Sequence, residues 1–152
     1  MTTQHAIDWP ERYLPGTGDT FVSNEVIVQG VTASRAWRFL VDTSTWESYY
    51  DNVADLSFPD GDGPEPADGV RFAFGTFGFP PLDARVVEFL HQPGVQHVEP
   101  DLPGGRTRIL TQESQFGKPA ADLAGQTPNP MLNGHQAWLD GLVRAARGQV
   151  AG

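Results

Sequence analysis

Apolar and polar positions along this chain change period several times, and each change marks an element. The stretch TFVSNEVIVQG, Thr20 to Gly30, is rich in β-branched residues and closes on a glycine, which predicts a first strand. Thr32 then offers an N-cap, and Ala33, Ala36, Trp37, Leu40 and Val41 recur at the 3/4 spacing of a helix face. The pattern breaks over Asp42 to Ser44 and restarts. Ser44-Thr-Trp-Glu47 fits a capping box, in which the Ser side chain takes the N3 amide and the Glu reaches back to the cap. Trp46, Tyr49 and Tyr50 follow at i, i+3, i+4, so their rings share one face of a second, very short helix. Neither helix is long enough to survive in water, where about 12 to 15 residues are needed even from good helix formers. Both must therefore lie on a large apolar surface, with Trp37 and Trp46 as anchors.

Strand-like runs separated by turn chemistry come next: residues 52–58, 70–77, 81–90, 95–100 and 106–116. The connectors DGDGPEPADG, GFP, HQPG and DLPGG are punctuated by Gly and Pro, which suits hairpins between antiparallel neighbours. In VRFAFGTF, Val70, Phe72 and Phe74 alternate with Arg71, Ala73 and Gly75, giving one bulky apolar face. Residues 117–128 read as a loop containing Lys118, Pro119 and Pro128.

The last element is a long amphipathic helix. Asn129 caps it, Pro130 sits at its first position, and Gly148 follows its end. Met131, Leu132, Trp138, Leu139, Leu142, Val143 and Ala146 fall on one face, with His135 near its centre. Asn133, Gln136, Asp140, Arg144 and Arg147 fall opposite. Gly134 and Gly141 lie two turns apart inside it. Each costs about 1 kcal/mol against Ala, which reads either as close approach of the backbone to another surface or as neutral tolerance.

Composition narrows the function classes. The 152 residues, 39% hydrophobic, suit a single domain with one core, over 19–152, preceded by an irregular arm over 1–18 that Trp9 and Tyr13 can pin. The formal charge is −9, and Asp42 to Asp68 holds eight acidic residues with no Lys or Arg. That balance argues against nucleic acid and anionic membranes as partners. The chain has no Cys, so thiol nucleophiles, disulfides and zinc-thiolate sites are excluded. No apolar run suggests a signal peptide or membrane span, and a cytoplasmic location is expected.

The order of strand, two short helices, antiparallel strands and a long C-terminal helix resembles the START/polyketide cyclase-like (SRPBCC) superfamily. The likeness is carried by VIVQGVTASRAWRFLVDTSTWESYY, by NGHQAWLDGL, and by PGGRTRILTQES as a last hairpin, over residues 20–147. It implies an α+β helix-grip fold, a curved antiparallel sheet wrapped around the long C-terminal helix, with two short helices after the first strand. It also implies a cavity for a small hydrophobic or aromatic, lipid- or polyketide-like ligand. A cyclase or dehydratase using the same pocket, and a ligand-free protein-interaction module, are the alternatives it carries. Six strands are expected here against the usual seven, with the shortfall near residues 91–100.

Candidate pocket residues are Tyr49, Tyr50, Phe72, Phe74, Phe77, Val86, Glu113, Met131, His135, Trp138 and Leu142. An imidazole on the apolar face of the closing helix can be a satisfied core group, a ligand contact or an acid/base; His135 is the catalytic candidate. Glu113 shares a strand face with Thr111 and Gln115, and alternation leaves open whether that face looks inward. Contact between Glu113 and His135 would support proton transfer. The Asp60-Gly-Asp62-Gly run starts like a calcium loop, but Pro64, Glu65 and Arg71 occupy positions that loop needs for ligands and its glycine. His91 and His97 lack an evident third ligand, so neither metal nor cofactor is expected. Expected partners are a small hydrophobic molecule and, optionally, a second copy in a homodimer.

Overall fold

Strand β1 (Thr20–Gln29) pairs antiparallel with β6 (Arg106–Gln115) along its whole length, from Thr20 opposite Gln115 to Gln29 opposite Arg106. The computed structural model describes residues 9–86, 98–102 and 105–148. Burial alternates along the pair: Thr20, Val22 and Asn24 of β1 and Thr107 and Ile109 of β6 point inward. Alternation then carries Thr111, Glu113 and Gln115 to the same inner face. Strand β5 (Val98–Leu102) flanks β6 on its other side. A second group, β2 (Val53–Ser57), β3 (Arg71–Thr76) and β4 (Leu82–Arg85), forms an antiparallel meander. With a long C-terminal helix this is an α+β architecture, and among the described residues the two three-stranded sheets do not close into a barrel.

Between β1 and β2 lie α1 (Ala33–Val41) and the one-turn α2 (Trp46–Tyr49). Thr32 caps α1 as expected, accepting from the Arg35 amide at 3.2 Å. The capping box at Ser44 does not form. Asp42 takes its place: its carboxylate accepts from the Ser44 amide at 3.2 Å and from the Ser44 hydroxyl at 2.5 Å. The chain then passes through a 3-10 turn over Thr43–Thr45 before α2 begins. Asp prevails because its ionised carboxylate takes both donors at the tighter turn, leaving the Ser hydroxyl spent as a donor. The indole of Trp46 donates back to the Leu40 carbonyl at 3.0 Å, locking the bend from inside.

Helix α3 (Lys118–Ala124) occupies a stretch expected as loop. Its Pro119 fits the first turn, where no amide hydrogen is missed. Ala120, Ala121 and Ala124 favour helix, and Lys118 pairs with Asp122 at 2.6 Å. Seven residues are too few for apolar periodicity to register, which is why the flanking prolines read as loop. The expected strand over 81–90 appears as β4 to Arg85, with Val86 still bonded to Val70 at 3.0 Å; residues 87–90 lie outside the described residues. So do 91–97, with His91, His97 and most of the stretch near 91–100 where the strand shortfall is expected; the expected strand over 95–100 appears as β5 from Val98. The described part of the N-terminal arm is pinned by rings, Trp9 edge-on to Phe21 at 6.1 Å and Tyr13 edge-on to Phe116 at 5.4 Å.

Helix α4 (Pro130–Ala146) crosses all of this. Asn129 caps it by accepting from the Met131 amide at 2.9 Å and the Leu132 amide at 3.3 Å. Its C-terminal half is core: Leu139, Leu142, Val143 and Ala146 pack with Val31, Ala36, Tyr49 and Ile109. Arg35 donates to the last-turn carbonyl of Ala146, and Arg147 donates to the Gln29 carbonyl at 2.9 Å, tying the helix end to α1 and β1. Leu132, expected on the apolar face, is exposed. Both helical glycines mark close approach. A Cβ at position 141 would lie 2.0 Å from the Tyr49 carbonyl oxygen, and one at 134 would lie 2.6 Å from the Phe77 ring. At an open helical site Gly→Ala gains about 1 kcal/mol. At 141 the obstacle is backbone, so we expect Gly141→Ala to lose about 1–3 kcal/mol, the range for overpacking. The urea midpoint reads this directly, and a midpoint unchanged or raised would show that α4 does not rest on the Tyr49 carbonyl.

Candidate functional site

The N-terminal half of α4 lies outside the core cluster that its C-terminal half joins. Between it, α3, α2 and the inner faces of both sheets lies a cavity of about 520 Å³. Its apolar wall comes from Leu40, Trp46, Val53, Phe74, Phe77, Phe79, Leu82, Leu123, Met131 and Trp138. The rings behind that wall are mutually braced. Phe72 and Phe74 stack at 5.6 Å, Phe58 stacks on Phe72 at 5.9 Å, and Trp46 stands edge-on to Phe72 and Phe74 at 6.3 and 6.2 Å. Phe77 enters from the turn between β3 and β4, where Phe77 and Gly78 have φ of 54° and 75°. A left-handed backbone on a bulky residue is costly and needs its surroundings to hold it. The bare Gly134 backbone supplies the room for its ring.

The polar wall is one connected chain of hydrogen bonds. His135 Nε2 meets Glu113 Oε2, Gln115 Nε2 donates to Glu113 Oε1, and His135 Nδ1 lies 3.3 Å from Thr111 Oγ1. An ionised carboxylate only accepts, so the imidazole hydrogen belongs on Nε2, and in the neutral ring Nδ1 accepts from the Thr111 hydroxyl. The His135 and Glu113 side chains are 17% and 34% exposed, so the pair is shielded yet reachable from the cavity. Asn24 holds this end of α4 to β1, donating to the Leu132 carbonyl at 3.1 Å and to Gln136 Oε1 at 3.3 Å. Chemically, the arrangement can accept a hydrogen bond at Glu113 and can pass a proton between carboxylate, imidazole and hydroxyl. Among the described residues no three His, Asp or Glu side chains converge as a metal ion requires.

The sequence candidates divide between two places. Tyr50, Phe74, Phe77, Glu113, Met131, His135 and Trp138 meet at the cavity. Tyr49 and Leu142 do not line it: they are core residues, and the Tyr49 hydroxyl donates to the Phe39 carbonyl at 3.0 Å. Phe72 stands behind Phe74 in the ring stack, and Val86 likewise falls outside the lining. Of the two tyrosines, the cavity therefore takes Tyr50. Trp46, read as an anchor, is also part of the wall. Sequence reasoning passed over Thr76, Phe79, Leu82 and the α3 residues Pro119, Ala120 and Leu123. The strand register supplied the missing signal for Glu113: its partner is Val22, whose face is buried.

No family model matches the chain, and no curated protein matches it either. A solved structure does: the crystal structure of hypothetical protein jhp0584 from Helicobacter pylori is 43% identical, over 97% of this chain and 99% of that one, with a TM-score of 0.86. The chain belongs to the same family as that hypothetical protein. No helix among the described residues is long and apolar enough to cross a membrane.

Two tyrosines carry a pH signature. Burial raises the Tyr49 phenol well above its ordinary value. Burial also raises Tyr50, with the Glu113 charge adding to it and a hydrogen bond from Asn52 opposing it. The folded protein thus keeps protons that the unfolded chain releases near pH 10, so unfolding releases protons and stability declines as pH rises above about 10. Tyr49→Phe cannot ionise; it should flatten that decline while costing about 1 kcal/mol at neutral pH for the lost hydrogen bond. Urea melts across the alkaline range test this, and identical slopes for parent and variant would contradict it.

Proposed function

We propose that this chain is a helix-grip protein of the START-like kind that binds a small hydrophobic or aromatic molecule in the cavity beneath α4. The observation that carries the reading is an apolar cavity of about 520 Å³ with a few polar groups converging on one wall. Small-molecule sites are built that way, typically with volumes of about 300–1,000 Å³. The braced rings around Trp46 support it further, because a preformed wall spares a ligand the cost of ordering it. Native mass spectrometry of the purified chain should show a co-purifying adduct, or naphthol should bind with a fluorescence change and be displaced by other flat aromatics. Absence of both an adduct and naphthol binding in repeated preparations would sink the reading.

The hydrogen-bond chain from Glu113 through His135 to Thr111 favours a second reading, a cyclase or dehydratase type of enzyme in the same pocket. With the Thr111 hydroxyl as a relay to its Nδ1, His135 would take a proton from a bound ketone's α-carbon and return it to a departing hydroxyl. The parent should accelerate intramolecular aldol closure and dehydration of a model diketone, and His135→Phe should remove the acceleration while leaving the thermal midpoint near the parent's. Equal rates for the two proteins would rule the role out.

A further inference from the structure

The polar wall of the cavity is unbalanced in a way that narrows the ligand. Among the described lining residues there is no Lys or Arg, and the acidic and basic side chains are Glu113 and His135, which are paired with one another. The nearest lysine in sequence, Lys118 beside the lining Pro119, is 84% exposed and spent on Asp122 at 2.6 Å. The His135 Nε2 hydrogen is used on Glu113, and its other nitrogen faces the Thr111 hydroxyl. Each Glu113 oxygen takes one donor, from Gln115 or from His135. A carboxylate has about four lone-pair sites, so acceptor capacity is left over. What the wall offers as donors is neutral: the hydroxyls of Tyr50 and Thr76 and the second amide hydrogen of Gln115.

A ligand carboxylate placed here would bury its charge beside Glu113 with no cation to offset it, whereas a donor head group would complete the Glu113 shell. We propose that the pocket selects an apolar ligand whose head group donates hydrogen bonds, an ammonium or a hydroxyl, to Glu113, and rejects the carboxylate on the same skeleton. This rests on the ligand-pocket reading above.

Three probes with one ring system separate the outcomes: naphthylmethylamine, naphthol and naphthoate, titrated calorimetrically into the full chain at neutral pH. The amine and the naphthol should each bind at least about tenfold more tightly than naphthoate, the factor expected for a hydrogen bond to a charged group. Glu113→Gln keeps the shape and supplies a donor, so it should weaken the amine about tenfold and strengthen naphthoate. Naphthoate binding as tightly as the other two, or an unchanged amine-to-naphthoate ratio in the variant, overturns the inference and leaves the pocket standing. Failure of all three probes to bind overturns the pocket reading and this inference with it. The parent series alone is decisive even where the variant folds poorly.

Discussion

Everything in this fold depends on how closely α4 sits on the Tyr49 carbonyl. With only hydrogen at position 141, the helix backbone reaches α2 without a side chain between them. That contact seats the C-terminal half of α4 among Val31, Ala36 and Ile109 and fixes the helix axis. Once the axis is fixed, the other half of the same rigid rod must pass over the inner faces of both sheets at whatever height the seat dictates. The gap beneath it is the cavity. One contact therefore sets both the core and the empty space, and the residues of one helix serve the two purposes from opposite ends.

The division explains the polar chemistry as well. A buried Glu and His are costly in a packed core, where neither finds water and each must find the other. Placed at the cavity wall on facing elements, β6 and α4, they satisfy one another and remain open on one side. Asn24 does comparable service on β1, giving its amide hydrogens to the backbone and side chains of α4, although its own carbonyl oxygen is left without a partner among the described residues. Hydrogen bonds to β1 and β6 thus help hold the site half of the helix, while apolar packing dominates in the core half.

Much of this was legible in the sequence where a pattern was long. The α4 boundaries followed from Asn129, Pro130 and Gly148, and of the two readings the paired glycines left open, close approach is the one that holds. The α+β class and most strand positions followed from alternation and turn chemistry. Short elements were harder. The break before α2 was visible, but Asp42 and Ser44 compete for one turn, and their order of strength depends on a geometry that only the tertiary bend creates. Helix α3 is held by its packing on α4 and β1 rather than by its own periodicity. Within the site, spacing put Tyr49 and Tyr50 on one face, yet α2 ends at Tyr49 and the backbone of Tyr50 is already extended, which sends one ring to the core and the other to the cavity. Glu113 needed the register of its pairing with Val22, 91 residues away in sequence, information no local window contains.

Position 134 has a consequence of its own. The Phe77 ring and the Tyr50 hydroxyl close against bare helix backbone there, and the cavity ends where they meet it. Phe77 sits in a left-handed turn, a backbone conformation that its surroundings must hold. A single methyl group at 134 would push that ring into the space a ligand would use. The shape of the cavity is thus gauged by one hydrogen atom, and any larger residue at this point would need a different turn to seat Phe77.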